Sequence, residues 1–351
     1  MFALVRFVSC RAPFSVVMVL VCALGCGYSA SRRTPDIAQA RVSQVRYTMG
    51  TLMDITVYAG SEQEGRQLID GAFAIAERLN RELSTWIPDS PVSIFNRQAT
   101  TVPLRVGGDL YKLVELSGRF ARETNGAFSI TVRPLVDLWE VAAQRNTLPT
   151  LSEISRVKPL ISAEALEVVA PDSIKKRHEG VKIETGGIGK GYAVDAMLQF
   201  LREQGVSAAF INFGRSSLGA IGSPPGELGW VVDVSLVEGR VETRVWLRDE
   251  TLSVSRARGN SFEVEGRSYA HIFDPATARP VKVSRGAAVR GSSATEGEAY
   301  VKYLVIRGAP STSLSAHWRG VEWMVRTGDK LDSSPSFKRP VESHPSRNVL
   351  E

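Results

Sequence analysis

The sequence predicts an α+β fold, one body of interleaved helices and strands behind an N-terminal export signal. Helical periodicity is concentrated early, at 62–83 and 109–123, whereas strand-like runs dominate after residue 165. The two kinds of element follow no regular βαβ rhythm, which argues against a doubly wound parallel sheet. The one long apolar run lies at the N-terminus, so a polytopic membrane protein is excluded.

That N-terminal run reads as an address. Arg6 and Arg11 form a basic start, and Pro13 to Leu24 form an apolar stretch too short for a comfortable membrane span. The ending Ala23-Leu24-Gly25-Cys26 resembles the lipobox of bacterial lipoproteins, although Leu is commoner where Ala23 stands. The expected organisation is a lipoprotein-type signal peptide at 1–25 and a tether at 26–44. A folded body follows at 45–330, then a Ser- and Pro-rich disordered tail at 331–351. The expected location is the periplasmic face of a bacterial membrane, with a lipid anchor at Cys26; plain secretion and a retained anchor are the alternatives. Cys10, Cys22 and Cys26 all lie in this first segment, so the body has no disulfide and no thiol nucleophile.

Composition narrows the class further. Hydrophobic residues make up 43% of the 351 residues and charged residues 23%, an ordinary globular balance that excludes wholesale disorder and collagen-like repeats. A net charge of +6 spread over this length is no nucleic-acid signature, but it favours an anionic ligand or surface.

Along the body, Val45 to Tyr58 predicts two strands with a turn near Gly50. Glu62 to Leu83 predicts a helix with Leu68, Ala72, Ile75, Leu79 and Leu83 inward. A loop with Pro88 and Pro91 follows, then a helix over Asp109 to Glu123 with Leu110, Val114 and Ala121 inward, stopped by Asn125-Gly126. Thr150-Leu151-Ser152-Glu153 fits a capping box. Strands are expected at 166–170, 181–184, 208–213, 230–236, 241–247 and 251–255, with a hairpin around Glu265-Gly266 and a last strand at 321–326. Helices are expected at about 190–203 and 296–306.

Three motifs can carry chemistry. Glu184-Thr185-Gly186-Gly187-Ile188-Gly189-Lys190-Gly191 sits before a helix, where bare backbone and the helix dipole suit an anion. It is neither a Walker A loop nor a dinucleotide-binding fingerprint, and a plain tight turn is the alternative. Tyr269-Ala270-His271-Ile272-Phe273-Asp274-Pro275 offers His271 as a general base or as a structural histidine. Leu83-Ser84-Thr85-Trp86 offers an aromatic to stack on a planar ligand, or a buried Trp in a packed loop.

With Met49-Gly50-Thr51 and the run Gly126-Ala127-Phe128-Ser129 through Trp139, these motifs occur in the order found in a known family. From about Val45 to Lys330 the chain resembles the ApbE family, the FAD:protein FMN transferases. The resemblance implies a single T-fold-related domain that binds FAD and Mg²⁺, cleaves the pyrophosphate and attaches FMN to a Thr or Ser of a partner. Such a partner is typically a subunit of a membrane redox complex. It implies a flavin nucleotide lined by Met49, Trp86, Ala127, Phe128, Ser129, Glu184, Lys190 and Ile272, with His271 as base. It also implies a metal at Gly189, Glu298 and Lys302.

The sequence departs from the family pattern at that metal. Glu298 stands where the family has Asp, and Lys302 where it has Thr. An ammonium has no lone pair and cannot ligate a metal. Ser129 replaces an acid, Arg133 and Arg215 replace glycines, and Ser255-Arg256-Ala257 replaces Ser-Gly-Asp/Asn. Two expectations follow: cations stand in for the metal in a working transferase, or the fold survives as a degenerate FAD- or nucleotide-binding paralogue or an interaction module.

Overall fold

The computed structural model describes residues 39–257, 261–281, 284–315 and 318–338. The expected export signal, Cys26 and most of the tether lie outside the described residues, as does the tail from 339. The chain starts as a hairpin of β1 (Ala40–Thr48) and β2 (Thr51–Ala59). Met49 and Gly50 make its two-residue turn with φ of 44° and 79°. Both angles are left-handed, which matches the twist of the flanking strands.

The first half is helical. It comprises α1 (Glu62–Leu83), α2 (Pro91–Arg97), the short β3 (Leu104–Arg105), α3 (Gly108–Glu123), α4 (Arg133–Gln144) and α5 (Leu151–Val157). Next come β4 (Leu166–Val169), β5 (Ser173–Lys176), α6 (Gly189–Glu203), β6 (Ala208–Phe213) and β7 (Ser217–Ile221). A ribbon of β8 (Trp230–Val234) and β9 (Thr243–Leu247) precedes β10 (Thr251–Arg256). The rest is β11 (Ser261–Val264), β12 (Arg267–Ala270), the short β13 (Phe273–Asp274) and β14 (Arg279–Pro280), β15 (Arg285–Gly291), α7 (Ala294–Arg307), one turn of α8 (Thr312–Ser315), β16 (Glu322–Thr327) and β17 (Lys330–Ser333).

Eight strands form one sheet in the order β1-β2-β6-β7-β10-β15-β16-β17, antiparallel at every step. On one face, α1, α6 and α7 pack on the strands. Ile69, Phe73, Leu79, Val194, Met197 and Ile211 lie in the core this creates. The other face is covered by the β8–β9 ribbon through Trp230, Val234 and Val245, and by Phe337. A bidentate pair fastens that cover: Arg326 of β16 donates Nε to Oε1 and Nη2 to Oε2 of Glu242, both at 2.6 Å, with both side chains buried. A satellite core joins α4 and α5 to the β11–β12 ribbon around Trp139.

The α+β expectation agrees with this architecture, and α1 has the expected bounds. Ala72, Leu79 and Leu83 are buried as expected, joined by Ile69, Phe73 and Ala76, while Leu68 and Ile75 lie at the flanks. The capping box at Thr150 is present in full. Other expectations are corrected. Pro91 opens α2 rather than lying in a loop, and α4 arises where no helix was expected. Residues 181–184 form no strand. Instead Ile183 is gripped by a side-chain amide: its N–H donates to Asn96 Oδ1 at 2.7 Å and its carbonyl accepts from Asn96 Nδ2 at 2.8 Å. Order also exceeds the expected boundaries. β1 begins inside the expected tether, and β17 and the buried Phe337 lie inside the expected disordered tail.

Lys176, at the end of β5, is fully buried. Its ammonium donates to the Gln98 carbonyl at 2.7 Å and lies 4.7 Å from the Phe95 ring centre. Burial, with Lys182 as a nearby like charge, lowers its pKa from 10.5 to about 8. Between those values the unfolded chain holds a proton that the folded one has released, so stability rises with pH across that window; below about pH 8 the cost of the buried charge is fully present. Lys176→Met removes this gain. Urea unfolding at about pH 7 and about pH 10 should show the wild type gaining on the variant as pH rises, by on the order of 2–3 kcal/mol. Parallel profiles would show that Lys176 stays charged throughout.

Candidate active site

The glycine-rich turn leads into α6 and is fixed from outside. The Glu184 N–H donates to the Ile130 carbonyl at 2.7 Å, and the Thr185 hydroxyl donates to the Leu83 carbonyl. Within the turn, the Ile188 and Gly189 N–H groups donate to the Thr185 carbonyl, and the Gly186 N–H donates to Glu184 Oε1 at 2.9 Å. No side chain caps α6, so its first turn meets the glycine loop bare. Met49, at the tip of the β1–β2 hairpin, reaches this place: its Cε lies 3.6 Å from where a Cβ on Gly189 would stand.

The helix α7 crosses α6 at Gly191. A Cβ there would stand 2.4 Å from the Ala294 carbonyl oxygen and 2.9 Å from Glu298 Cγ, so only glycine fits. Asp195, one turn further along α6, holds the start of α7. Its carboxylate accepts from the Ala294 N–H at 2.7 Å, the Thr295 N–H at 2.9 Å, the Ser293 hydroxyl at 2.7 Å and the Thr295 hydroxyl at 2.6 Å. An acid at a helix N-terminus also complements the helix dipole.

This crossing sets Glu298 and Lys302 beside the glycine loop. Lys302 Nζ donates to Glu298 Oε2 at 2.8 Å, and the Ser217 hydroxyl donates to Oε1. The side chains are 2% and 18% exposed for Glu298 and Lys302 respectively, so the pair is internal rather than a solvated helix bridge. Lys302 Cε lies 3.9 Å from where a Cβ on Gly187 would be. Burial alone pushes the Glu298 pKa up, but the Lys302 and Lys190 charges and the two hydrogen bonds outweigh it. The net shift is downward, and the carboxylate stays ionised.

A cleft of about 720 Å³ is lined by Thr85, Trp86, Asn96, Arg133, Asp137 and Lys182 among others, and Arg133 links it to the loop through Glu184. Trp86 stands 83% exposed at its rim. Arg133 is fully engaged: Nε donates to Asp137 at 2.6 Å, Nη1 to Glu184 at 3.1 Å and Nη2 to Glu140 at 2.9 Å. Lys182 adds a bond to Asp137 at 2.6 Å. Arg133, which replaces a family glycine, is thus surrounded by three carboxylates.

A model of the ApbE family matches residues 49–324. The chain belongs to the ApbE family. It is 25% identical over 342 residues to the FAD:protein FMN transferase of Klebsiella pneumoniae, covering 93% of this chain and 96% of that one. It is 24% identical over 341 residues to the protein of the same name from Escherichia coli K12, covering 93% and 97%. Among solved structures it resembles the ApbE protein of Thermotoga maritima, with a TM-score of 0.75 and 24% identity over 85% of this chain and 98% of that one. It also resembles the flavin transferase ApbE of Vibrio cholerae, with a TM-score of 0.72 and 23% identity over 86% and 99%. At these identities the structural likeness shows the fold.

Within this ApbE fold the expected site residues divide. Met49, Glu184, Gly189, Lys190, Glu298 and Lys302 cluster about the loop. Ala127, Phe128 and Ile272 have their side chains in the core, where Phe128 packs edge-on to Phe120. Ser129 is buried, its hydroxyl 2.8 Å from that of Thr131, beside a second cavity of about 250 Å³. His271 is exposed in the bend between β12 and β13.

Glu298 and Lys302 do not fit the Mg²⁺ that the family resemblance implies. Both oxygens of Glu298 are taken, one of them by an ammonium that repels a cation. Among the described residues no group of three or more His, Cys, Asp or Glu is placed to hold a metal.

Asp195, Ser217 and Asn96 escaped the sequence reading. Each acts on a partner more than 80 residues away, and no local pattern encodes that. α4 was legible, since Leu135, Trp139 and Ala142 repeat on one face behind Pro134 at the helix start.

The two glycines give opposite expectations. Gly191→Ala forces a methyl onto the α7 backbone and should cost about 1–3 kcal/mol of stability in urea unfolding. Gly187→Ala makes only ordinary contact at 3.9 Å and should stay within about 1 kcal/mol of wild type. Equal losses would show that the crossing relaxes.

Proposed function

We propose that this protein is an FAD:protein FMN transferase: it holds FAD at the start of α6, breaks the pyrophosphate and attaches FMN to a Thr or Ser hydroxyl of a partner protein. One observation carries the reading, the uncapped first turn of α6 meeting a bare glycine loop flanked by the Lys190 and Lys302 side chains. Backbone N–H groups, a helix dipole and two ammonium groups together make an anion site. Family membership and near full-length relatives bearing that activity's name support it.

In the proposed reaction the acceptor hydroxyl oxygen bonds to the FMN phosphorus. The bond from that phosphorus to the bridging oxygen breaks, and AMP leaves with the electron pair. The hydroxyl proton passes to a base, for which His271 is the candidate. Positioning and charge stabilisation carry most of such a phosphoryl transfer. Trp86 at the cleft rim is suited to stack on the isoalloxazine, and the buried Ala127, Phe128 and Ile272 contribute main chain and shape rather than side-chain contacts. No step is assigned to a metal.

We further propose an exported protein anchored by lipid at Cys26 on the periplasmic face, with an acceptor in a membrane redox complex. The Gly25-Cys26 ending and the cysteine-free body support this. A second reading, a paralogue that binds FAD without transferring FMN, draws on the ion pair at the family's metal position.

Incubation with FAD and a Thr-containing acceptor separates the two. The acceptor should keep flavin fluorescence through denaturing electrophoresis. FAD bound but never transferred selects the paralogue. His271→Asn should retain FAD and lose about 10²–10⁴-fold in transfer rate. An unchanged rate removes His271 as base. Gly187→Val should fold normally yet lose FAD binding by fluorescence titration; unaltered affinity would put the nucleotide elsewhere.

A further inference from the structure

We propose that Lys302 is a built-in cation of the nucleotide site, taking the place of a divalent metal, so that FAD binds to this protein without Mg²⁺. The inference rests on the reading that the glycine loop receives the pyrophosphate.

Four observations point to it. First, the ammonium is placed by the fold and not merely tolerated. The Asp195 clamp and the Gly191 crossing fix the pitch and rotation of α7, and the pair is one helical turn apart with Glu first, the favourable order. Second, both oxygens of Glu298 already accept a hydrogen bond, one from Ser217 and one from the Lys302 ammonium, whose charge repels a second cation. Third, the aliphatic stem of Lys302 lies against the bare face of Gly187, which puts its charge at the loop that faces the anion. Fourth, Lys190 acts on the same carboxylate, so two ammonium groups stand against Glu298, while Glu184 of the loop is neutralised by Arg133. A divalent ion entering there meets two ammonium groups and a carboxylate already paired with one of them. Cations and metal are alternatives at a pyrophosphate, because both neutralise the same oxygens.

The test measures FAD affinity by fluorescence quenching in EDTA and in millimolar Mg²⁺, and Mn²⁺ binding to the FAD-free protein by electron paramagnetic resonance. Wild type should bind FAD equally in both buffers, within about twofold, and should bind no Mn²⁺ at this site. Loss of one charge-assisted contact predicts that Lys302→Thr binds FAD about ten- to a hundredfold more weakly in EDTA. Glu298→Asp with Lys302→Thr should recover affinity on adding Mg²⁺ and should gain a Mn²⁺ signal. The Lys302→Thr change leaves a buried carboxylate unpaired and can cost the fold. Glu298→Gln with Lys302→Met therefore serves as the neutral, space-filling control. It should fold, lose FAD affinity and show no metal response.

A tenfold gain by wild type on adding Mg²⁺, or a Mn²⁺ signal in wild type that Glu298→Gln abolishes, overturns the proposal. So does unweakened FAD binding in the neutral control. Failure of wild type to bind FAD in either buffer overturns both this inference and the nucleotide reading. Metal-insensitive FAD binding without FMN transfer supports this inference and refutes only the transfer step.

Discussion

Two helices that cross too closely for a methyl group determine where the charges of this protein lie. Gly191 lets the backbone of α7 rest on α6, and the carboxylate of Asp195 ties down the free N–H groups at the start of α7. Each interaction needs the other. The close approach brings the carboxylate within reach, and the carboxylate keeps α7 from sliding. From that fixed start, residues 298 and 302 follow by helical geometry, one turn apart on the side facing the glycine loop. The sheet contributes the last constraint, because Ser217 at the start of β7 meets Glu298 from below.

The electrostatics of the site are therefore local. Around the cleft, Arg133 and Lys182 are tied to Asp137, Glu140 and Glu184, so these cations are already partnered. At the loop itself, Lys190 and Lys302 act on the Glu298 carboxylate, while Glu184 is held by Arg133 and the Gly186 N–H. At the turn the cations stand beside bare backbone, whereas at the rim Arg133 and Lys182 are bound to carboxylates.

The sequence disclosed the features that neighbours in the chain decide. The bounds of α1, the capping box at Thr150 and the turn at Glu265-Gly266 rest on residues within a few positions of one another. Among the strands missed, two of the longest lack alternation. β7 and β15 are buried on almost every residue and rich in Gly, Ala and Ser, so neither period nor propensity marks them. Residues 181–184 misled for a related reason: they are extended and apolar like a strand, but a single asparagine supplies the pairing. At the site, the identity of Glu298 and Lys302 was readable. Their burial and mutual contact were not, because these depend on Asp195 and Ser217, far away in the chain.

The order of the sheet has a consequence for how the protein is made. β2 lies in the middle of the hydrophobic core, yet its second neighbour is β6, with Met53 opposite Phe213. Roughly 160 residues separate the two. At a synthesis rate of about 5–20 residues per second, β2 waits roughly ten to thirty seconds for its partner. Throughout that interval Met53, Ile55 and Val57, all fully buried in the finished fold, have only the β1 hairpin and α1 for shelter. The nascent chain thus carries an apolar strand with one open edge for nearly half of its synthesis, the condition under which a newly made protein most needs a chaperone to hold it.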